Sequence, residues 1–499
     1  MTTFRRDPAD ILAELATLRE ADAPTHGGHV LAYVYDAGMP ELDALASDAA
    51  KLVQPVNGLD PTTFTSVAAM ERAVVGFARA AFHGDDEVVG SVTSGGTESC
   101  MLAVKAARDA WIARGGEGRA RLVAPITAHA AFQKAAKAFG LEFDGVPVDA
   151  STGAPDPAAI AERLGEDVAI IVVSAPSYPF ATLDPIEEVA ALGAARGIPV
   201  HVDACIGGFA LAFQDGLPAW DFAVPGVTSL SADLHKYGYA PKGVSVLLTR
   251  GRDLQRHQYF ATTAWPGYPV VNPTLAGSKP AGPLAAAWAI IEALGTEGYA
   301  RLAGRAMRAT TALRDAVERI EGLRVVGDPV GPLFAVATDE SVGPDRRVDP
   351  HHWADAVREA GWVIQLQPAL RQADGTLLPR TTHLTVTPVT ESVLDTLLPV
   401  LAGAADAVRG VPAVDGGAVL AGLAQAAPGA AGVLAGGGAI DSDTAAGLLA
   451  AIGLGAATDG SGGSLPARMA PVLALVEALP APVTERLLVE LLARVVEPR

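Results

Sequence analysis

Cysteine is the residue this sequence has least of: Cys100 and Cys205 are the only two in 499 residues. Two cysteines make neither a disulfide framework nor a closed zinc site by themselves, so a reducing cytoplasm is the expected compartment. Positive charge is short as well. Lys+Arg total 37 against Asp+Glu 56, a formal net charge of −19. Phosphate-rich surfaces repel such a chain, which argues against a nucleic-acid partner or an anionic membrane. No stretch of about 18 residues is apolar enough to span a bilayer. The opening residues, MTTFRRDPADILAEL, lack the apolar centre of a signal peptide and read as a polar amphipathic helix. A soluble, cytoplasmic protein without a membrane anchor is expected. Lysine is rare too, occurring only as Lys51, Lys105, Lys134, Lys137, Lys236, Lys242 and Lys279. A coding preference for arginine explains the shortage, yet arginine cannot form an imine because its guanidinium stays protonated. Each remaining lysine is therefore worth placing.

What is plentiful is apolar: half of the chain, with 19% charged, enough for a large core and against wholesale disorder. At roughly 100–200 residues per domain, the length predicts two to four units. Residues 1–85 read as helices broken by polar turns, with a loop around Gln54–Gly58. From 86 to about 250, short β-rich runs alternate with helices. Candidate strands are Val88–Val92, Arg121–Ile126, Val168–Val173, Ile198–Asp203, Val227–Ser231 and Val244–Leu248. Over Glu98–Trp111 the residues Cys100, Val104, Ala107 and Trp111 share one helical stripe. This alternation, with non-alternating apolar strands, predicts an α/β fold with a large, doubly wound, mainly parallel sheet. Residues 251–283 are rich in Pro, Gly and aromatics and read as a long functional loop. A long helix from about Pro283 and a mixed α/β stretch follow. The expected division is a helical segment 1–85, a large domain 86–300, a smaller C-terminal α/β domain 301–410, and an Ala/Gly-rich helical tail 411–499.

Four constellations stand at the ends of expected strands. Ser94-Gly95-Gly96-Thr97-Glu98-Ser99 opens a helix, where free N–H groups can bind phosphate, though a plain strand-to-helix turn fits equally. His129, just past another strand, suits stacking on a flat ring or a structural hydrogen bond at a helix start. Asp203 ends an apolar strand in His201-Val202-Asp203-Ala204-Cys205. A buried carboxylate needs a cationic partner, either a protonated pyridine nitrogen or an arginine, or else serves as a cap. Lys236, in Ser231-Ala232-Asp233-Leu234-His235-Lys236-Tyr237-Gly238-Tyr239-Ala240-Pro241-Lys242-Gly243, is either a solvated surface amine or an amine for an aldehyde cofactor. Taken together, phosphate cradle, stacking His, pyridinium-binding Asp and imine-forming Lys are the groups that pyridoxal 5'-phosphate requires. Their place at strand ends also matches where open α/β sheets bind ligands.

With SGGTES (94–99), AHAAFQKAA (128–136), HVDACIGGF (201–209), SADLHKYGYAPKG (231–243) and PTLAGSKPAG (273–282), the chain resembles fold-type I pyridoxal-phosphate enzymes of the group II decarboxylase superfamily. Within that superfamily it resembles the sphingosine-1-phosphate lyase branch most. The likeness is tight over 86–300, looser over 25–85 and 300–410, and weak beyond. It implies that Lys236 links to the cofactor, Asp203 binds its pyridine nitrogen and His129 stacks on its ring. Gly96, Thr97 and His235 would hold its phosphate. Ser278 would reach the cofactor phosphate of a neighbouring subunit, so that a homodimer with shared sites is the active unit, and Tyr35 is expected to act across subunits too. Tyr35 would stand near the reacting carbon, with Asn57 and Lys242 on the substrate side. Core aromatic, turn Asn and surface Lys are the plainer readings of these last three.

The chain departs from the resemblance at Asp60, where the family has a phosphate-contacting histidine. A carboxylate there repels phosphate unless it pairs with Lys242. The expected activity is a carbon–carbon lyase acting on a small amino substrate, through aldehyde-releasing cleavage ahead of amino-acid decarboxylation. A non-catalytic homologue is the remote alternative.

Overall fold

The computed structural model describes residues 4–426, 440–451, 453–454 and 466–498. Seven strands form the large sheet: β1 (Val88–Thr93), β2 (Arg121–Pro125), β3 (Glu142–Val146), β4 (Val168–Ser174), β5 (Val200–Asp203), β6 (Val227–Ala232) and β7 (Ser245–Arg250). Their spatial order is β1-β7-β6-β5-β4-β2-β3. From β3 across to β6 every pair is parallel, as the sequence predicts. β7 runs antiparallel to both neighbours. The segment joining β6 to β7 forms only turns, with no helix to carry the chain back to the opposite sheet edge.

Burial explains which strands the sequence reveals. All seven residues of β4 are buried, so its run VAIIVVS must be apolar on both faces. β3, with the polar sequence EFDGV, lies at the sheet edge and is mostly half-buried. Sequence reading passes over it because no apolar run or alternation marks it. The expected loop 251–283 also differs: it contains a hairpin pairing Phe260–Thr262 with Val270–Asn272. Three-residue strands are too short to show a period. In and beside this hairpin, Phe260, Trp265, Tyr268, Val271 and Leu275 are exposed.

Helices Pro40–Leu52 and Thr65–Ala81 cover the large domain from its N-terminal side, whereas Pro8–Arg19, capped by Asp7, buries no residue. The helix Gly282–Glu318 runs through residue 300 and ties the two units together. It bends at Gly295, whose φ of 52° and ψ of −174° only glycine adopts freely. Beyond it, Leu323–Val325, Leu333–Thr338, Gln365–Gln367 and Thr381–Thr385 make a four-stranded antiparallel sheet. Phe334, Val336, Trp353, Leu384, Leu397 and Leu401 form its core against two helices.

The tail is a packed helical unit over its described residues. Leu423, Leu448, Leu475 and Leu487 share a core. It is fastened to the smaller sheet domain by Asp355, which accepts hydrogen bonds from the N–H groups of Met469 (2.7 Å) and Ala470 (2.9 Å), and by the Arg380–Glu477 ion pair. No helix among the described residues is long and apolar enough to cross a membrane.

Candidate active site

The carboxyl ends of β1, β4, β5 and β6 surround a cavity of about 430 Å³. At the end of β1, Gly95 takes φ +150°, and Gly96 starts the helix Gly96–Ala113. A Cβ on Gly96 would sit 2.6 Å and 2.7 Å from the Asp233 carboxylate oxygens and 2.9 Å from Cys205 Sγ. Only glycine fits there. The open N–H groups of this helix start and Thr97 face the cavity, a ready anion site. Glu98, 7% exposed, clamps the turn: one carboxylate oxygen accepts from Ser94 N (2.6 Å), the other from Leu275 N (2.8 Å).

Three further groups of the sequence reading converge on this cavity. His129 lines it just past β2, its Nδ1 accepting from Ala131 N at 3.2 Å. Asp203 ends β5 almost fully buried, with Oδ1 accepting from Cys205 N at 3.0 Å. Lys236 and His235 follow β6 and line the same wall.

Lys236 Nζ lies 3.0 Å from Oδ2 of Asp233, and His235 Nε2 lies 3.4 Å from the same oxygen. Burial opposes charge on both partners of the lysine pair, but their mutual attraction outweighs it. The Asp233 carboxyl is held below, and the Lys236 amine above, its ordinary range. Asp233 stands inside the quoted 231–243 motif, yet its role depends on a contact that spacing does not reveal.

Tyr35 lines the cavity of its own chain together with Lys236, which corrects the expectation that it acts across subunits. The segment 30–36 lies between the two domains: Leu31 exchanges backbone hydrogen bonds with Val363 and Thr385 of the smaller one, while Tyr35 meets Tyr237 of the large one edge-on with centroids 5.2 Å apart. Burial raises its hydroxyl well above the usual tyrosine range, against the opposing pull of the Lys236 charge. Lys242 sits at the rim with Nζ 4.6 Å from the Tyr35 ring centre, and it donates to His235 O at 3.2 Å. Desolvation and the nearby Lys236 charge push its amine down to about 8. Tyr33, Ser174 and Tyr178 also line the walls, and the Tyr178 ring lies tilted against His383 of the smaller domain, centroids 4.2 Å apart. Tyr178 and His383 stand far apart in sequence, so no local pattern announces them.

Ser278, Asn57 and Asp60 do not reach this cavity. Ser278 is exposed on the loop after the hairpin. Asn57 makes a local turn, its Oδ1 accepting from Leu59 N at 3.0 Å. Asp60 lines a separate cavity of about 810 Å³ with Arg72, Tyr268 and Lys279. It is satisfied by its neighbours, accepting from Thr62 N (2.9 Å), Thr62 Oγ1 (2.6 Å) and Thr63 Oγ1 (2.7 Å). The two threonine hydroxyls, with the Thr62 N–H, hold it at about 2. The considered Asp60–Lys242 pair is therefore absent, because both groups find partners close to home.

The residues present fit pyridoxal phosphate. The glycine cradle leaves space that a methyl group would fill, and Asp233 Oδ1 is buried without a hydrogen-bond partner. A mainly parallel sheet with a cationic lysine, two buried carboxylates and an anion-binding helix start around one cavity defines a pyridoxal-phosphate enzyme of fold type I. Residues 57–336 match the family described as "Pyridoxal-dependent decarboxylase conserved domain", and the chain belongs to that family. Residues 416–494 match "Pyridoxal-dependent enzyme, C-terminal putative HTH domain". The chain is 36% identical to the sphingosine-1-phosphate lyase of Dictyostelium discoideum over 66% of its own length and 63% of that protein's, so it spans less than two thirds of this relative. It is 35% identical to the Arabidopsis thaliana sphingosine-1-phosphate lyase, covering 76% of this chain and 68% of that one. The solved sphingosine-1-phosphate lyase of Burkholderia pseudomallei K96243 superposes with a TM-score of 0.74 at 32% identity, over 81% of this chain and 92% of that one.

Proposed function

We propose that the protein is a pyridoxal-phosphate-dependent carbon–carbon lyase that cleaves the Cα–Cβ bond of a β-hydroxy amine and releases an aldehyde. The observation that carries this reading is Lys236 Nζ, 3.0 Å from Asp233 in the cavity that Asp203, His129 and the Gly96–Thr97 helix start also line. Likeness to proteins named sphingosine-1-phosphate lyases supports the choice of bond.

When bound, the cofactor supplies an electron sink for the carbanion left at Cα. The chain's own groups do the rest. Thr97, the helix start and His235 would hold the phosphate, and His129 would flank the ring. Asp203 would hold a pyridine proton in place. Asp233 accepts a hydrogen bond from Lys236 Nζ and orients that amine. Tyr35, whose hydroxyl stays protonated, stands where a proton can be returned to carbon.

The same proposal holds the active unit to be a homodimer in the cytoplasm. Ser278 lies outside its own chain's cavity, beside a hairpin with exposed Phe260, Trp265, Tyr268 and Val271, the composition of a buried interface. Two free, neighbouring thiols suit a reducing compartment. A partner's hairpin would also bring Asp60 toward a site. There its ionised carboxylate would select against a phosphate dianion and favour less anionic amines.

The test is to incubate the cofactor-loaded protein with β-hydroxy amines, their phosphates and a panel of amino acids. Aldehyde release supports the reading, and carbon dioxide release from an amino acid without aldehyde replaces it with decarboxylation. Asp60→His should lower KM for phosphorylated substrates. Efficient cleavage of phosphorylated long-chain bases by the unmodified protein would refute the selectivity.

A further inference from the structure

The two cysteines of the chain lie 105 residues apart in sequence and meet in space. Cys100 Sγ, in the first turns of the helix Gly96–Ala113, is 3.9 Å from Cys205 Sγ, just past β5. Both thiols are free, both are buried, and both line the cavity. A carboxylate oxygen of Asp203 joins them, and the three potential ligand atoms all lie within 4.8 Å of one another. Ser231 Oγ, at the end of β6, is 3.2 Å from Cys205 Sγ.

The spacing discriminates between the things two thiols can do. A disulfide holds its sulfurs about 2.0 Å apart. Two thiolates on one tetrahedral zinc, each about 2.3 Å from the metal, stand about 3.8 Å apart. The observed 3.9 Å excludes a disulfide and fits two ligands around a shared ion as well as two thiols in contact. The three groups ride on a helix start and a strand end rather than on mobile loops, so the sheet fixes their spacing. Paired sulfur ligands favour zinc or cadmium over magnesium or calcium, and the cavity side leaves room for water to complete the coordination.

We propose that Cys100, Cys205 and Asp203 form a binding site for one thiophilic divalent cation, zinc or cadmium, in the cofactor-free protein, and that this ion competes with the cofactor for the cavity. Metal entry replaces the two thiol protons, which pass to solvent. With Oδ1 of Asp203 already accepting from Cys205 N, the ion and a pyridine proton draw on the same remaining charge of this carboxylate, so the two compete. The competition rests on the cofactor reading above, whereas the metal site does not.

The full-length protein, with cofactor bound and after its removal, is titrated with cadmium chloride. Thiolate-to-cadmium charge-transfer absorbance should rise in the cofactor-free protein and saturate at one equivalent. In the loaded protein it should rise only as the cofactor's visible absorbance is lost. Cys100→Ser and Cys205→Ser should each weaken binding by at least about tenfold, the scale on which even outer partners of a metal act. Circular dichroism reports whether these variants fold. Should neither fold, cadmium-113 NMR of the unmodified protein decides, because its shift separates sulfur from oxygen-only coordination. No charge-transfer band at one equivalent, an unchanged band in folded serine variants, or an oxygen-only shift would overturn the site. Metal and cofactor bound together would overturn the competition. Failure of the cofactor reading shows separately, as no pyridoxyl label on Lys236 after borohydride reduction of the cofactor-loaded protein.

Discussion

The cavity around Lys236 and the cavity around Asp60 hold charged groups in opposite ways. In the first, Asp233 and Asp203 are 2% and 7% exposed at the ends of β6 and β5. There Asp233 is stabilised as an anion by a lysine on the turn that follows its strand. In the second, Asp60 lies in open solvent and is satisfied by Thr62 and Thr63, while Tyr268 and Lys279 come from the loop and hairpin that follow β7. A buried charge without its partner is strongly destabilising, so the first set is fixed by the fold itself. An exposed, self-capped charge has no such demand. It can wait for a second surface.

Breaking the first cavity should have the largest effect. Lys236→Ala should abolish both the visible absorbance of bound cofactor and turnover, as measured by spectroscopy and product formation. Next comes Asp203→Asn, which keeps the shape of the side chain and removes its charge. Loss of a preorganised charge contact of about 3–4 kcal/mol corresponds to a 10²–10³-fold fall in kcat, with circular dichroism unchanged. A near-normal kcat would remove Asp203 from its role.

The boundary between the two regions can be sharpened by mixing inactive subunits. Tyr35 shares a cavity with Lys236 of its own chain, so a mixed dimer of Lys236→Ala and Tyr35→Phe contains no intact site and should stay inactive. If Ser278 serves a neighbour's site, Lys236→Ala mixed with Ser278→Ala should regain part of the activity. The reverse pattern, after subunit exchange has been demonstrated, would exchange the two assignments.

A smaller effect concerns Asp184, which supports the cavity wall by accepting from Ser174 N at 2.7 Å. Burial raises its carboxyl to about 7, from 3.8 in the unfolded chain. Between these values the folded state binds the proton more tightly. The stabilisation is therefore complete below pH 3.8 and is lost as pH rises through 7. The difference amounts to at most about 4 kcal/mol. Asp184→Asn should flatten this fall when urea midpoints of the two proteins are compared from pH 5 to pH 8. Parallel profiles would contradict the buried, protonated assignment.

Legibility follows the same division. The continuous apolar run of β4, the glycine pair after β1 and the His235-Lys236 pair after β6 are local signals, and the parallel sheet and its cavity follow from them. Asp233 and Glu98 lay in plain view within those motifs without a role. Their partners, Lys236 Nζ in one case and Leu275 N in the other, are known only once the chain is folded. β3 was hidden by its polar edge position, and Tyr178 by its reliance on His383 in another unit. Asn57, Asp60 and Ser278 were read by resemblance rather than from local chemistry, and a single chain gives them no place in the cavity.

The chemistry turns on one amine in one cavity. Borohydride reduction of the cofactor-loaded protein, followed by peptide mass mapping, tests this directly. The predicted result is covalent pyridoxyl label on Lys236 alone, whereas label on Lys242 or Lys279, or none on any lysine, would contradict it.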